Sequence, residues 1–259
     1  MHILVILIMG LLAGILAGTL GIGGGVILVP SMVYLLHYDQ HLAQGTSLFI
    51  LLLPLGLGGL RQYWKDGSVD VRAGILCATG FLLGGYLGAK IAVPMASNLL
   101  RACFGAFLVF SAIMLWRKPT PREKTGPFRQ DDSRASVRQS AAILGTSGAC
   151  GVGAGMVGIS GGVLLVPLLG LLFGFSQHRA QGTSLLALLP PTGLLAFLTY
   201  WKAGYVNWHT GVLLVPGVFV GGILGGILAS RLNPRRMRQV FAVMMFLLGV
   251  WQVFSAWRR

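Results

Sequence analysis

Apolar residues run along this chain in long blocks, at 3–20, 26–36, 45–60, 73–92 and 99–116, with matching blocks after residue 139. No block alternates polar and apolar residues one by one, as a strand of a membrane barrel would. Several blocks reach the roughly 20 residues that a helix needs to cross a bilayer. The pattern predicts an all-α polytopic membrane protein. Residues 3–36 are too long for one crossing: at about 1.5 Å per residue they would run about 50 Å, against a hydrocarbon core of about 30 Å. A break is predicted at "GIGGG", residues 21–25, where glycine tolerates a sharp turn. The segment after it, "VILVPSMVYLL", has the length of a half-crossing, so its N-terminus is expected near the midplane. The first block lacks the basic residues that open a signal peptide, and its counterpart at 140–157 lies in mid-chain. It is therefore read as a retained helix.

The blocks are written twice. "GIGGGVILVP" at 21–30 returns as "GISGGVLLVP" at 158–167, an offset of 137 that holds without a gap. "AQGTSL" at 43–48 meets "AQGTSL" at 180–185, and "YWKDGSV" at 63–69 meets "YWKAGYV" at 200–206. From Gly14 to Phe104, 40 of 91 positions are identical at this offset, polar and glycine positions among them. Three parts follow: a first transmembrane repeat at 1–116, a basic linker at 117–138, and a second repeat at 139–259. Duplicated halves of this kind are a pattern of secondary transporters, with the substrate held between the halves.

Charge sets the expected orientation. The chain carries a net charge of +14, yet seven of its 20 Lys and Arg residues fall in the linker. Most others stand at segment ends, where basic residues hold cytoplasmic loops inside and meet anionic headgroups. No nucleic-acid partner is expected. With the linker in the cytoplasm, the loop holding Arg61, Lys65 and Arg72 lies inside and "HYDQH" outside. In the second half Arg179, Arg231, Arg235, Arg236 and Arg238 then lie inside, against Lys202, Arg258 and Arg259 outside. This favours inverted repeats with both termini outside and leaves parallel repeats open.

Candidate chemistry concentrates at the glycine breaks. A helix that begins inside the membrane offers unpaired N–H groups and the positive end of its dipole, an arrangement suited to an anion. Backbone broken at that depth must line a polar cavity or be buried in protein. The other role for such glycines is close helix packing, which Gly14/Gly18, Gly84/Gly88 and Gly221/Gly225 suit by their spacing. In "AQGTSL", Gln44, Thr46 and Ser47, like Gln181, Thr183 and Ser184, stand at the start of a long apolar block. They are read either as helix caps or as further donors to an oxyanion. Tyr63-Trp64-Lys65 and Tyr200-Trp201-Lys202 read as interface anchors, and His41 and His178 as solvated loop residues.

What is missing narrows the classes. The six acidic residues, Asp39, Asp66, Asp70, Glu123, Asp131 and Asp132, all map to loops, which argues against a cation transporter. Cys77, Cys103 and Cys150 lie inside apolar blocks with no metal-ligand spacing, so neither disulfide nor metal is indicated. There is no nucleophile elbow and no P-loop lysine, so no enzyme and no cofactor is expected.

The doubled glycine motif followed each time by "AQGTSL" resembles the sulfite exporter TauE/SafE family of membrane proteins. The resemblance covers nearly the whole chain outside the linker. It implies export or exchange of small anions, such as sulfite, sulfoacetate and other organosulfur compounds, across the bacterial inner membrane. On the family's pattern Gly23, Gly24, Gly25, Gly161 and Gly162 correspond to the glycine motifs, and Ser160 departs from it by standing where Gly23 stands in the first copy. The expectation is a small anion held by these glycine amides, by Ser160 and by the polar residues of both "AQGTSL" segments. Expected partners are that anion and a bilayer with anionic headgroups at the linker, with a homodimer among the expected assemblies. An anion channel and a non-transporting scaffold subunit are the alternatives.

Overall fold

A computed structural model describes residues 2–20, 24–53, 57–116, 133–159, 161–229 and 234–257. Among these residues there are twelve helices and no strand. The first half holds α1 (His2–Leu20), α2 (Gly25–Leu35), α3 (Gln40–Leu51), α4 (Leu57–Lys65), α5 (Val71–Ala92) and α6 (Ser97–Trp116). The second holds α7 (Ser133–Val157), α8 (Gly162–Phe173), α9 (Gln177–Leu188), α10 (Leu194–Lys202), α11 (Trp208–Ala229) and α12 (Pro234–Trp257).

Five segments, within α5, α6, α7, α11 and α12, are long and apolar enough to cross a membrane. Their outward faces carry large apolar side chains: Ile75, Leu83, Leu87 and Ile91 on α5, and Phe219, Ile223 and Ile227 on α11, are all exposed. A surface of that kind is stable against lipid and not against water. The protein is a multi-pass membrane protein. Trp64 and Trp201 are also exposed, at the ends of α4 and α10, where indole rings suit the headgroup level.

The short helices α2 and α8 go inside. At about 1.5 Å per residue, the 11 and 12 residues of these helices span about half of the hydrocarbon core. Val26, Leu28, Val29 and Met32 of α2 and Val163, Leu164, Leu165 and Leu169 of α8 are buried. Both helices start where the glycines interrupt the chain, as the length argument requires. The positive φ of 69° at Gly174 closes α8, with its N–H donating to the carbonyl of Gly170.

Glycines let the crossing helices touch backbone to backbone. A methyl group on Gly14 or Gly18 of α1 would run into the carbonyls of Val218 and Gly222 on α11. One on Gly84 or Gly88 of α5 would meet those of Gly148 and Val152 on α7. The residue numbers rise together in both pairs, so each pair is parallel. In contrast α6 and α12 run antiparallel: Gly105 lies against Gly249 and Val253, and Gly249 against Gly105 and Val109.

One expectation needs correction. The apolar block 45–60 is not a single segment with "AQGTSL" at its start. It belongs to two helices, α3 and α4, and the six residues lie in mid-α3, as their copies lie in mid-α9. The caps are Asp39, which accepts from the His41 amide at 2.8 Å, and Ser176, which accepts from the Arg179 amide at 3.4 Å. The reason lies in prolines that hydropathy does not register: Pro54 follows α3, and Pro190 and Pro191 separate α9 from α10.

Candidate functional site at the paired helix breaks

The two glycine breaks, 137 residues apart in sequence, meet in space. A Cβ on Gly25 would stand 2.9 Å from the carbonyl oxygen of Gly158 and 3.0 Å from the Cα of Ile159. Gly158 itself has φ +68°, a region that side chains other than glycine's rarely adopt. Gly24 and Gly161 are the N-cap residues of α2 and α8, and neither helix has a side-chain cap. The amides of Ile27 and Leu28 turn back to the carbonyl of Gly24, and those of Leu164 and Leu165 to Gly161. The amides ahead of them, of Gly25 and Val26 and of Gly162 and Val163, are the ones a helix start leaves without an internal acceptor. The start of α2 thus packs on the residues just ahead of α8, Gly158 and Ile159, while the ring of Phe81 covers the start of α8 at Gly161.

α3 supplies polar side chains at this junction. Ser47 Oγ donates to the carbonyl of Gly158 at 2.9 Å, which ties α3 to the second break. Gln44 is fully buried; its Oε1 accepts from the Tyr200 hydroxyl at 2.9 Å while its Nε2 has no partner. One turn earlier, Gln40 is fully buried with neither amide atom paired. Buried amide groups without partners are costly, on the order of 1–3 kcal/mol each, and mark places where a solute or water is accommodated.

The other residues of the two "AQGTSL" segments bind protein. Thr46 Oγ1 accepts from the Asn207 amide at 3.0 Å, and Thr183 Oγ1 from the Asp70 amide at 3.1 Å. Each threonine thereby satisfies the backbone just ahead of a crossing helix of the opposite half. Gln181 Oε1 accepts from the Tyr63 hydroxyl at 2.7 Å. Ser184 is buried. Gly45 and Gly182 allow this interlocking, since a methyl on either would strike the backbone carbonyl of Tyr205 or of Ser68. Gly25, Gln44 and Ser47 are therefore brought to the second half's break, while Gly24 faces Ala17 and Leu28 of its own half. Thr46, Thr183 and Gln181 serve as clips between the halves. Gly23 and Ser160 lie outside the described residues.

Sequence reasoning missed four contributors, of three kinds. Tyr63 and Tyr200 were grouped with their tryptophans as interface anchors, yet their hydroxyls point inward to the two glutamines. The signal was present: each tyrosine sits at the same offset as its glutamine. Phe81 is the second kind, for its ring covers Gly161 so closely that any side chain there would overlap it. Gln40 is the third, and it lies one helical turn from Gln44 on the same face.

His41 also departs from the expectation of a solvated loop residue. It lies in the first turn of α3 with 5% of its surface exposed, stacked on the Tyr205 ring at 4.7 Å. Its Nδ1 faces Asp39 at 3.3 Å and its Nε2 faces the Ala92 carbonyl at 3.1 Å, while Ser97 Oγ donates to Asp39 at 2.7 Å. This clip joins the α3 start to the α5–α6 turn. Burial alone would raise the Asp39 carboxyl, but hydrogen bonds from His41, Ser97 and the His41 amide outweigh it and hold it at about 2. The Asp39 hydrogen bond raises the His41 imidazole above its usual 6.5, against burial, with the Asp39 charge and the Ala92 and Met95 carbonyls adding to the effect. Asp39 thus contributes stability above about 3.8 that fades as pH falls toward 2. His41 contributes stability that is complete below 6.5 and is lost as pH rises through its raised value. The melting temperature of the purified protein should fall as pH rises from 6.5, and His41→Gln should flatten that slope. An unchanged slope in the variant would place the titration elsewhere. His178, its sequence counterpart, is exposed as expected, though on α9.

An open cavity of about 330 Å³ lies between α5 and α9, lined by Gly74, Ile75, Ala78, Leu186, Leu189 and Pro190. Its walls offer no polar side chain, so it suits a lipid chain and not a hydrated solute.

Comparison with known proteins agrees with this architecture. The family model described as sulfite exporter TauE/SafE matches residues 6–251. The chain is 29% identical to a probable membrane transporter protein, YunE, of Bacillus subtilis, over 98% of either chain. It is 28% identical to a probable membrane transporter protein of Xylella fastidiosa, over 96% of this chain and 94% of the other. It is 22% identical to the probable membrane transporter protein MJ0441 of Methanocaldococcus jannaschii, again over 96% and 94%. No solved structure matches the chain. A match of that extent, together with the doubled glycine break, makes this membrane transporter a member of the TauE/SafE sulfite exporter family.

Proposed function

We propose that the protein is a secondary transporter, an exporter or exchanger, of a small anion in the bacterial inner membrane. Sulfite or an organosulfur anion such as sulfoacetate is the substrate class. The observation that carries this reading is the packing of the first glycine break, at Gly25, on the second, at Gly158, where Gln44 of α3 carries an unpaired Nε2 and neither following helix has a side-chain cap. Backbone and amide donors are available there, and the carboxylates among the described residues, Asp39, Asp66 and Asp70, stand outside the helices, two of them as N-caps. The substrate is held at the two breaks, by Gly24–Gly25 and Gly161–Gly162. One half rocks against the other to alternate access. The antiparallel packing of α6 on α12, helices at equivalent places in the two repeats, supports an inverted arrangement of the halves.

Purified protein in liposomes tests this directly. Uptake of labelled sulfite, sulfoacetate and sulfate is followed with and without an imposed pH gradient. Saturable uptake of a sulfur anion, stimulated by the same anion trapped inside, is the expected result. Flux that never saturates and shows no exchange would identify a channel instead. No uptake from folded protein would remove the anion reading.

A further inference from the structure

Among the described residues Arg101 is a cation buried without a counter-ion. It lies in the second turn of α6 with 7% of its surface exposed, its Nε has no hydrogen-bond partner, and among the described residues no carboxylate lies within ion-pair distance. A guanidinium keeps its charge in any protein environment, so the cost of burying it is not relieved by losing a proton. Arg101 lines a cavity of about 130 Å³ together with Val33, Tyr34, His37 and Tyr38. At about 30 Å³ per water that is room for roughly four waters, or for one small oxyanion.

The surroundings are also set for an acceptor. The Tyr34 hydroxyl lies 3.2 Å from Gln252 Oε1 and 3.1 Å from Ser255 Oγ. The Gln252 amide is fully buried and its Nε2 is unpartnered, a second donor with nothing to bind. His37 is held at φ 55°, a left-handed conformation that a residue with a side chain adopts at a cost. The C-terminal end of α2 lies in the same wall and carries a partial negative charge, equivalent to about half an electron. It eases the burial of Arg101 but leaves Nε without an acceptor.

The repeat provides a comparison within the chain. Arg238 occupies the position equivalent to Arg101, but Leu171, Gly174 and Phe175 stand where Tyr34, His37 and Tyr38 do. The fold is therefore built once without the phenols and the imidazole. They are not a requirement of the architecture.

We propose that Arg101, with Tyr34, His37 and Tyr38, forms a second anion-binding site at the outer end of α2. It takes a small oxyanion of the sulfonate, sulfite or carboxylate class, about 15 Å along α2 from the paired glycine breaks. The choice of ligand class rests on the anion-transport reading; the unpaired buried cation does not. The site captures the solute at the mouth of the path, where the guanidinium replaces part of its hydration shell, while the Tyr34 and Tyr38 hydroxyls, held by Gln252 and by Thr210 and Asn207, fix the walls.

The test measures binding apart from flux. Full-length protein in a neutral detergent is titrated calorimetrically with sulfite, sulfoacetate and acetate. Arg101→Gln should weaken binding by on the order of tenfold to a hundredfold, the loss of a charged hydrogen-bonding partner, and Arg101→Lys by less. Lys90→Gln removes an equal charge from an exposed position beside the Tyr86 ring and should change nothing. Without anion, Arg101→Met should melt at a higher temperature than the wild type, because an uncompensated buried charge has gone; a lower one would show a structural role and overturn the site. Wild-type affinity in Arg101→Gln would overturn it too. If Arg101→Gln loses only a stabilisation conferred by added phosphatidylglycerol, with soluble anions bound as before, the occupant is a lipid phosphate and the solute site falls. If binding depends on Arg101 while liposomes take up no sulfur anion, this site stands and the transport reading fails.

Discussion

Gly158→Ala is expected to lower anion uptake by more than an order of magnitude in liposomes. Two costs coincide at this position. The residue has φ +68°, where a Cβ costs about 1–2 kcal/mol. The new methyl would also stand 2.8 Å from the Cα of Gln44, so α3 must move away from the second break. That displacement separates Ser47 from the Gly158 carbonyl and shifts Gln44 away from the second break. Gly174→Ala supplies the control. Its φ is +69° but nothing lies within 4 Å, so it carries the conformational cost alone and should transport like the wild type. Equal losses in both variants would show that backbone strain, not the meeting of the breaks, accounts for the effect.

Gly88→Val should act on assembly before it acts on transport. A side chain at Gly88 would strike the carbonyl of Val152 and come within 3.0 Å of the Met156 amide, both backbone atoms of α7 that cannot turn aside. Overpacking of this kind costs about 1–3 kcal/mol, and here the upper end applies because two helices must part along their length. Lipid offers apolar surface as readily as a neighbouring helix does, so parted helices gain nothing that brings them back. The variant should give less monodisperse protein on extraction and a lower melting temperature. Gly145→Ala, on α7 with nothing within 4 Å, should lose nothing and gain up to about 1 kcal/mol in helix propensity. Wild-type behaviour of Gly88→Val would mean that α5 and α7 are not in backbone contact in the folded protein.

These two variants separate glycines that look alike in a list of letters. Gly88 is needed for what touches it, Gly174 for its own dihedral angle, and Gly158 for both. The same distinction runs through the polar residues. Thr46 and Ser47 are neighbours in one motif, yet the first closes a crossing helix of the other half and the second reaches the break.

Hydropathy and spacing alone determined the helical membrane class, the interruption at residues 21–25, the doubled motif and the absence of acidic residues from the apolar blocks. These depend on composition and on chain length against bilayer thickness, which are properties of local sequence. Close packing at Gly84 and Gly88 was legible too, because the spacing of small residues fixes which face of a helix can be approached. Only the tertiary structure decided that Gly25 lies against Gly158, that the hydroxyls of Tyr63 and Tyr200 turn to Gln181 and Gln44, and that the Nε of Arg101 is buried without a hydrogen-bond partner. Each of these is a contact between residues more than 100 positions apart, or the lack of one. Hydropathy assigns a residue to water or lipid by type, whereas burial of a charge or an amide is set by which distant surfaces close over it.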